Sequence, residues 1–270
     1  MKIAVIGCGA YLAHDIEKVL KNVVLYQRLE SLSDVNVLKK FDYIINFSLQ
    51  PIFKQQELDL KDIIDVKIAN IIKDSDAKIV MLSSRKVYGT NNELINYSEN
   101  NELKASDAYS LNKINAEREI QRILPNRCLI LRVGNIIDVP MVKNNKTFIS
   151  WITDSLVKDN LLKVTENKDV AKDFITRDYF QYVLKTLINK NMTGIYNVGS
   201  GFESKLGEIL PRITGKKRII FEKNAQINDQ FVLNCSRVHK FVKPFKQQEL
   251  YEKCDIIHKI LRKLTTKEKI

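Results

Sequence analysis

What this 270-residue chain lacks narrows it first. No stretch approaches the roughly 18 consecutive apolar residues that a membrane-spanning helix requires, so no span is expected. There is no low-complexity tract and no Pro- or Ser-rich linker, which places any domain boundary in a loop of a compact body. Four cysteines, Cys8, Cys128, Cys235 and Cys254, lie far apart without a CxxC pair. That spacing argues against a zinc site or a disulfide framework and fits a reducing, cytoplasmic setting. The three histidines, His14, His239 and His258, show no metal-ligand spacing with Cys, Asp or Glu, so no metal is expected. Missing too is a basic stretch interleaved with aromatics of the kind that binds nucleic acid. The formal charge of +12 is spread along the chain, with a modest concentration in the tail KILRKLTTKEKI, and reads as a solvated surface.

What is present is an ordinary globular balance, 44% hydrophobic and 28% charged. The length suffices for one large core, or for one domain with a smaller attached lobe. The apolar N-terminus, MKIAVIGCGAYLA, has the hydrophobicity of a signal peptide. Its β-branched residues running into a Gly-rich turn predict a buried first strand instead. Short apolar runs at Lys2–Ile6, Val23–Tyr26, Tyr43–Phe47, Lys78–Leu82 and Cys128–Val133 have the length and branching of buried parallel strands. Between and after them, Leu12–Leu20, Leu58–Ile72, Tyr109–Ile123 and Phe180–Leu187 carry apolar residues at helical intervals. The alternation predicts an α/β fold with a doubly wound parallel sheet. Beyond Pro140 the pattern loosens into Asn- and Lys-rich turns, and a further strand, Gly194–Val198, leads into Gly199-Ser200-Gly201, where a smaller lobe is expected to begin. The hexapeptide Phe53–Leu58 recurs at Phe245–Leu250, with no matching context around either copy, and reads as coincidence.

Three places carry chemistry. Strand one runs into Gly7-Cys8-Gly9-Ala10-Tyr11-Leu12-Ala13, a turn whose glycines let a pyrophosphate approach the amides at the start of the next helix. Strand two ends in Tyr26-Gln27-Arg28, where a ribose-binding Asp or Glu would select NAD. Without that carboxylate, and with the Arg28 guanidinium available for a 2′-phosphate, NADP(H) is the expected cofactor. Tyr109 and Lys113 lie one turn apart on a helix, and Ser84 ends an apolar strand. An ammonium held beside a phenol stabilises the phenolate and makes a tyrosine a usable acid or base, while a serine can hydrogen-bond a reacting carbonyl.

Taken in order, Ser83-Ser84-Arg85-Lys86-Val87-Tyr88-Gly89 and Tyr109-Ser110-Leu111-Asn112-Lys113, 25 residues from Ser84 to Tyr109, resemble the extended short-chain dehydrogenase/reductase family. This is the NAD-dependent epimerase/dehydratase family, whose members modify nucleotide-linked sugars. Leu131–Asn135, Lys172–Asp178 and Tyr196–Gly201 follow in the family's order, so the resemblance runs from Met1 to about Arg237. It implies a Rossmann-type fold with a smaller C-terminal substrate-binding lobe. The implied division gives 1–140 to the dinucleotide domain, with 167–200 returning to it, and 141–166 and 201–270 to the lobe. It also implies Ser84, Tyr109 and Lys113 as a catalytic triad. Gly7, Gly9, Ala10, Tyr11 and Leu12 become the phosphate turn, and Asn46-Phe47-Ser48 a wall of the cofactor site. Arg85 and Asn135 are implied to meet the nucleotide-sugar; Arg177, beside Asp178, meets it or ties the two lobes together.

Departures from the family pattern select among its reactions. Dehydratases carry an Asp-Glu pair where this chain has Arg85-Lys86, which argues against elimination. The missing carboxylate after strand two sits poorly with the permanently held NAD of epimerases. The short interval between strand two and Asn46 is similar to that of the 4-keto-sugar reductases. The expected activity is therefore NADPH-dependent reduction of a keto group on a nucleotide-activated deoxy-sugar, in surface-polysaccharide or related sugar biosynthesis, by a soluble protein that could form a homodimer. An epimerase with tightly bound dinucleotide, and a non-catalytic dinucleotide sensor, are the alternatives.

Overall fold

β-Branched and aliphatic runs build the sheet. In the computed structural model, which describes residues 1–139, 148–222, 225–226 and 228–267, six parallel strands form the central layer. They are β1 (Ile3–Ile6), β2 (Val23–Tyr26), β3 (Tyr43–Asn46), β4 (Lys78–Ser84), β5 (Cys128–Val133) and β6 (Gly194–Val198), in the order β6-β5-β4-β3-β1-β2. Every strand read from the sequence is present within a residue or two. The loosened stretch expected just after Pro140 falls on 140–147, outside the described residues.

Successive strand residues feed opposite cores, as a two-sided parallel sheet requires. Ala4, Ile6, Ile44, Ile79, Met81 and Ile130 pack with α2 (Ile64–Ile72) and α3 (Ala108–Ile123). Val5, Ile45, Val80, Leu129 and Leu131 pack on the other face. The core on that side runs on into buried residues of α4 (Phe148–Asp159), α5 (Arg177–Asn189), α6 (Leu206–Thr214) and α7 (Gln247–Lys267).

Two predicted helices come out differently. In place of a helix over Leu12–Leu20 there is a 3₁₀ turn, Tyr11–Ala13, then Asp15 in left-handed geometry (φ 59°), then a single turn α1, Ile16–Val19. The reason lies on α5: Gln181 donates its side-chain amide to the carbonyls of Leu12 (3.1 Å) and His14 (2.9 Å), which an α-helix would use internally. The Leu58–Ile72 helix likewise shortens to Ile64–Ile72, because the Leu58 amide donates to Asn112 Oδ1 (2.9 Å) and draws the chain aside. The glycine turn is therefore followed by a 3₁₀ turn, not by the extended helix that the sequence suggested.

The strand order reverses between β1 and β3, and the loops at their carboxyl ends meet there. Open α/β sheets bind ligands at such a switch point.

Candidate active site

At that switch point the two glycines do different work. Gly7 has φ +82°, and a Cβ on it would lie 2.5 Å from the Ser48 amide nitrogen, so close backbone approach alone demands glycine. Gly9 is exposed, and a Cβ there would meet only the Gln27 side chain at 3.3 Å. The amides of Gly7 and Cys8 donate to the Tyr26 carbonyl, and that of Ala10 to the Gly7 carbonyl. Among the described residues the Gly9 amide meets no protein acceptor. A groove of about 780 Å³ opens over this turn. Its walls include Gly7, Gly9, Ala10, Tyr11 and Leu12 on one side, Gln27 and Arg28 at the end of β2, and Phe47 and Ser48 after β3.

The groove continues into two smaller pockets. One, of about 240 Å³, is lined by Ser84, Tyr109 and Lys113 together with Asn46, Phe47 and Ser48. The other, of about 420 Å³, is lined by Ser84, Arg85, Tyr109 and Asn135, and also by Lys54, Lys86 and Asp107. Local chemistry sets these positions. Ser84 closes β4, and its Oγ accepts the Lys86 amide (3.2 Å). Asp107 caps α3 by accepting the Ser110 amide (2.7 Å), while Ser110 Oγ accepts the Asp107 amide (3.1 Å). Tyr109 thus sits in the first turn of α3, with Lys113 one turn on. The Tyr109 ring meets Phe53 edge-on at 5.8 Å, and the ammonium groups of Lys54 and Lys86 each lie 6.0 Å from its centre. Lys86 is paired with Asp107 (2.9 Å).

Lys113 brings a partner that the sequence reading missed. Its ammonium is buried 3.7 Å from the Asp65 carboxylate on α2 and 5.1 Å from the Phe53 ring centre. Asp65 also accepts from Asn46 Nδ2 (2.7 Å), and Asn46 Oδ1 accepts both the amide and the hydroxyl of Ser48. Burial pushes the Asp65 carboxyl above its ordinary range, against the opposing pull of Lys113 and Asn46. A signal was available: Asp65 is a carboxylate inside the buried stripe of α2, beside Ile64, Ile68, Ala69 and Ile72. Asn112 was missed as well. It is fully buried and holds the 53–58 loop over Tyr109, donating to the carbonyls of Phe53 (3.0 Å) and Gln56 (2.8 Å).

Other predicted site residues have visible protein partners. Arg85 reaches the 420 Å³ pocket, yet its guanidinium makes a two-pronged pair with Asp229 and lies 4.1 Å over the Phe231 ring. Arg177 pairs with the buried Asp138 (3.3 Å) and lies 5.5 Å over the Tyr11 ring. Lys253 of α7 bridges Asp138 (3.1 Å) to Asp178 (2.8 Å). Arg177 and Asp178 thus connect α5 to Asp138 and, through Lys253, to α7.

Neighbouring motif residues form the floor. Ser83 donates to Glu117, which pairs with Arg132 (2.7 Å); Arg132 donates to Tyr88 (3.0 Å), and Tyr88 to Asn197 (2.7 Å). Burial pushes the Tyr88 phenol up to about 12, so it serves as a neutral donor. The Asp173 carboxylate accepts four hydrogen bonds, from the Ser200 amide and hydroxyl and the amides of Gly201 and Leu233. A Cβ on Gly199 would strike it at 2.6 Å. Among the described residues no cluster of three or more His, Cys, Asp or Glu side chains could hold a metal ion. No described helix is long and apolar enough to cross a membrane.

Comparison with solved structures places the whole chain on a known architecture. The UDP-N-acetylglucosamine 4-epimerase of Methanobrevibacter ruminantium M1, solved with UDP-N-acetylmuramic acid, superimposes with a TM-score of 0.79 at 15% identity, covering 100% of this chain and 99% of that one. The dTDP-glucose 4,6-dehydratase of Bacillus anthracis, solved with NAD, gives 0.77 at 15% identity, covering 99% of both chains. RMD of Pseudomonas aeruginosa, solved with NADPH, gives 0.74 at 18% identity, covering 98% of this chain and 99% of that one. At such identities the likeness shows the fold. No curated protein matches the sequence. The model of the NAD dependent epimerase/dehydratase family matches residues 16–199, starting just past the glycine turn and running to the end of β6, and this chain belongs to that family.

Proposed function

We propose that this protein reduces a keto group on a nucleotide-activated deoxy-sugar, using NADPH. One observation carries the reading: Ser84 and the Tyr109–Lys113 pair, drawn from separate elements, wall one pocket that opens into the Gly7–Arg28 groove. The groove suits a dinucleotide. Gly9 offers an open face and an amide that meets no protein acceptor among the described residues, which fits a pyrophosphate oxygen. Gln27 and Arg28, where β2 ends, present no carboxylate to repel a 2′-phosphate.

NADPH supplies the hydride when bound. Tyr109 gives its hydroxyl proton to the oxygen on which negative charge develops. Ser84 Oγ donates a hydrogen bond to the same oxygen and orients the carbonyl. Lys113, at the base of the pocket, would hold the cofactor ribose and supply positive charge to the site. Lys54, Lys86 and Asn135, around the 420 Å³ pocket, match a phosphate-bearing substrate; Asp107, the carboxylate on that pocket, is paired with Lys86, and Arg85-Lys86 stand where dehydratases carry their Asp-Glu pair. Residues 1–140 with 167–200 carry the dinucleotide in this reading, and 141–166 with 201–270 carry the sugar side.

The test supplies purified protein with NADPH or NADH and nucleotide-linked 4-keto-sugars. Oxidation of NADPH is expected, and Tyr109→Phe should lower turnover by about 10²–10⁴-fold while dinucleotide binding persists. Interconversion of nucleotide-sugar epimers without added cofactor, and without NADPH oxidation, would replace this reading with an epimerase. Binding with no turnover on either test would replace it with a dinucleotide sensor.

A further inference from the structure

Below the pocket, three polar side chains, Ser48, Asn46 and Asp65, run from the dinucleotide groove to the Lys113 ammonium. Ser48, on the groove wall, gives its amide (3.0 Å) and hydroxyl hydrogens to Asn46 Oδ1. This fixes the Asn46 amide, so that its nitrogen faces Asp65 Oδ1 at 2.7 Å. The second carboxylate oxygen, Oδ2, faces Lys113 Nζ at 3.7 Å. Both neighbours of Asp65 can only donate at these contacts, so the residue between them must accept at two oxygens. A carboxylate does so, whereas an asparagine would point an NH₂ group at either Asn46 or Lys113.

A buried ion pair is not by itself a device for stability, because apolar residues in its place are often as stable or more so. Its location is the informative part. The Asp65 and Lys113 side chains are 4% and 6% exposed, and the small remaining access to Lys113 is through the pocket shared with Ser84 and Tyr109. From this geometry we infer that Asp65 is a positioning residue, which holds the Lys113 ammonium at the pocket floor and ties it through Asn46 to Ser48. The inference rests on the groove being the dinucleotide site. Bound dinucleotide and Lys113 are then coupled in both directions, since a ligand ordered against Ser48 also orders Asn46 and Asp65.

A double-mutant cycle on the full chain tests this, read by calorimetric titration with NADP⁺ and needing no turnover. Asp65→Asn should weaken NADP⁺ binding about tenfold when Lys113 is present, and by less than about twofold in the Lys113→Met background. Equal losses in the two backgrounds would make Asp65 merely structural and overturn the inference, as would unchanged affinity in a folded Asp65→Asn chain. Should that variant fail to fold, Asn46→Ala keeps both charges and removes the tie, and its losses in the two backgrounds decide in the same way. A wild-type chain that binds neither NADP⁺ nor NAD⁺ would overturn the groove assignment and the inference together, while equal losses overturn the inference alone.

Discussion

The hexapeptide Phe-Lys-Gln-Gln-Glu-Leu occurs twice in this chain and folds in two ways. At 53–58 its first two residues end a 3₁₀ turn, Pro51–Lys54, and the rest is an irregular loop across Tyr109. At 245–250 the last four residues form the first turn of α7. Both phenylalanines are buried, but against different things. Phe53 faces Lys113 and Tyr109, whereas Phe245 packs on Tyr179 (4.9 Å) and Phe202 (6.3 Å). The second copy runs into Leu250, Cys254, Ile257 and Leu261, a buried stripe at helical spacing, so the helix is propagated and paid for by packing. The first copy has no such continuation, and Asn112 supplies its backbone partners instead. Identical local propensity thus yields a helix start in one place and an irregular loop at the edge of a pocket in the other.

Matched substitutions at the two copies would sharpen the contrast. Phe53→Ala and Phe245→Ala should each cost about 3–5 kcal/mol in denaturant unfolding, since each ring is buried. Only Phe53→Ala should also weaken dinucleotide binding, and equal binding losses at both positions would break the comparison. Removing the pin is the next largest effect. Asn112→Ala should lower stability by about 1–3 kcal/mol and expose the 53–58 loop to limited proteolysis, while α7 stays protected from hydrogen exchange. The smallest effect belongs to the exposed lysines. Lys54→Ala should reduce kcat/KM for a nucleotide-sugar about tenfold, and Lys246→Ala should leave it within about twofold. Similar losses from both would mean that overall positive charge, and not the placement of Lys54 on the pocket, is what matters.

The sheet and the shared helix face of Tyr109 and Lys113 were legible because their signals are local. β-Branched runs such as IAVI and YIIN leave little alternative to buried strands. A Tyr and a Lys one turn apart share a helix face wherever that helix lies. Much of the rest was not legible. Leu12–Leu20 has helical periodicity, yet Gln181, far along the chain, takes its carbonyls. Arg85 is expected from the sequence to meet substrate, and nothing nearby in sequence says that its guanidinium also pairs with Asp229, from a distant segment. Asp65 carried the weak signal of a carboxylate in an apolar stripe, but nothing nearby in sequence says that its partners are Asn46 and Lys113.

By itself, then, the sequence determined the alternation of strands and helices, the glycine turn after β1, the absence of a carboxylate where β2 ends, and the pairing of Tyr109 with Lys113. Each follows from residues within a turn or a strand of one another. Tertiary structure alone decided which of those residues share a groove and which charges are already partnered. It also decided that one copy of a repeated hexapeptide forms a loop beside the pocket while the other begins a helix. Those outcomes depend on hydrogen-bond and charge partners from distant segments, and a buried polar group takes whichever partner the packed fold brings within reach.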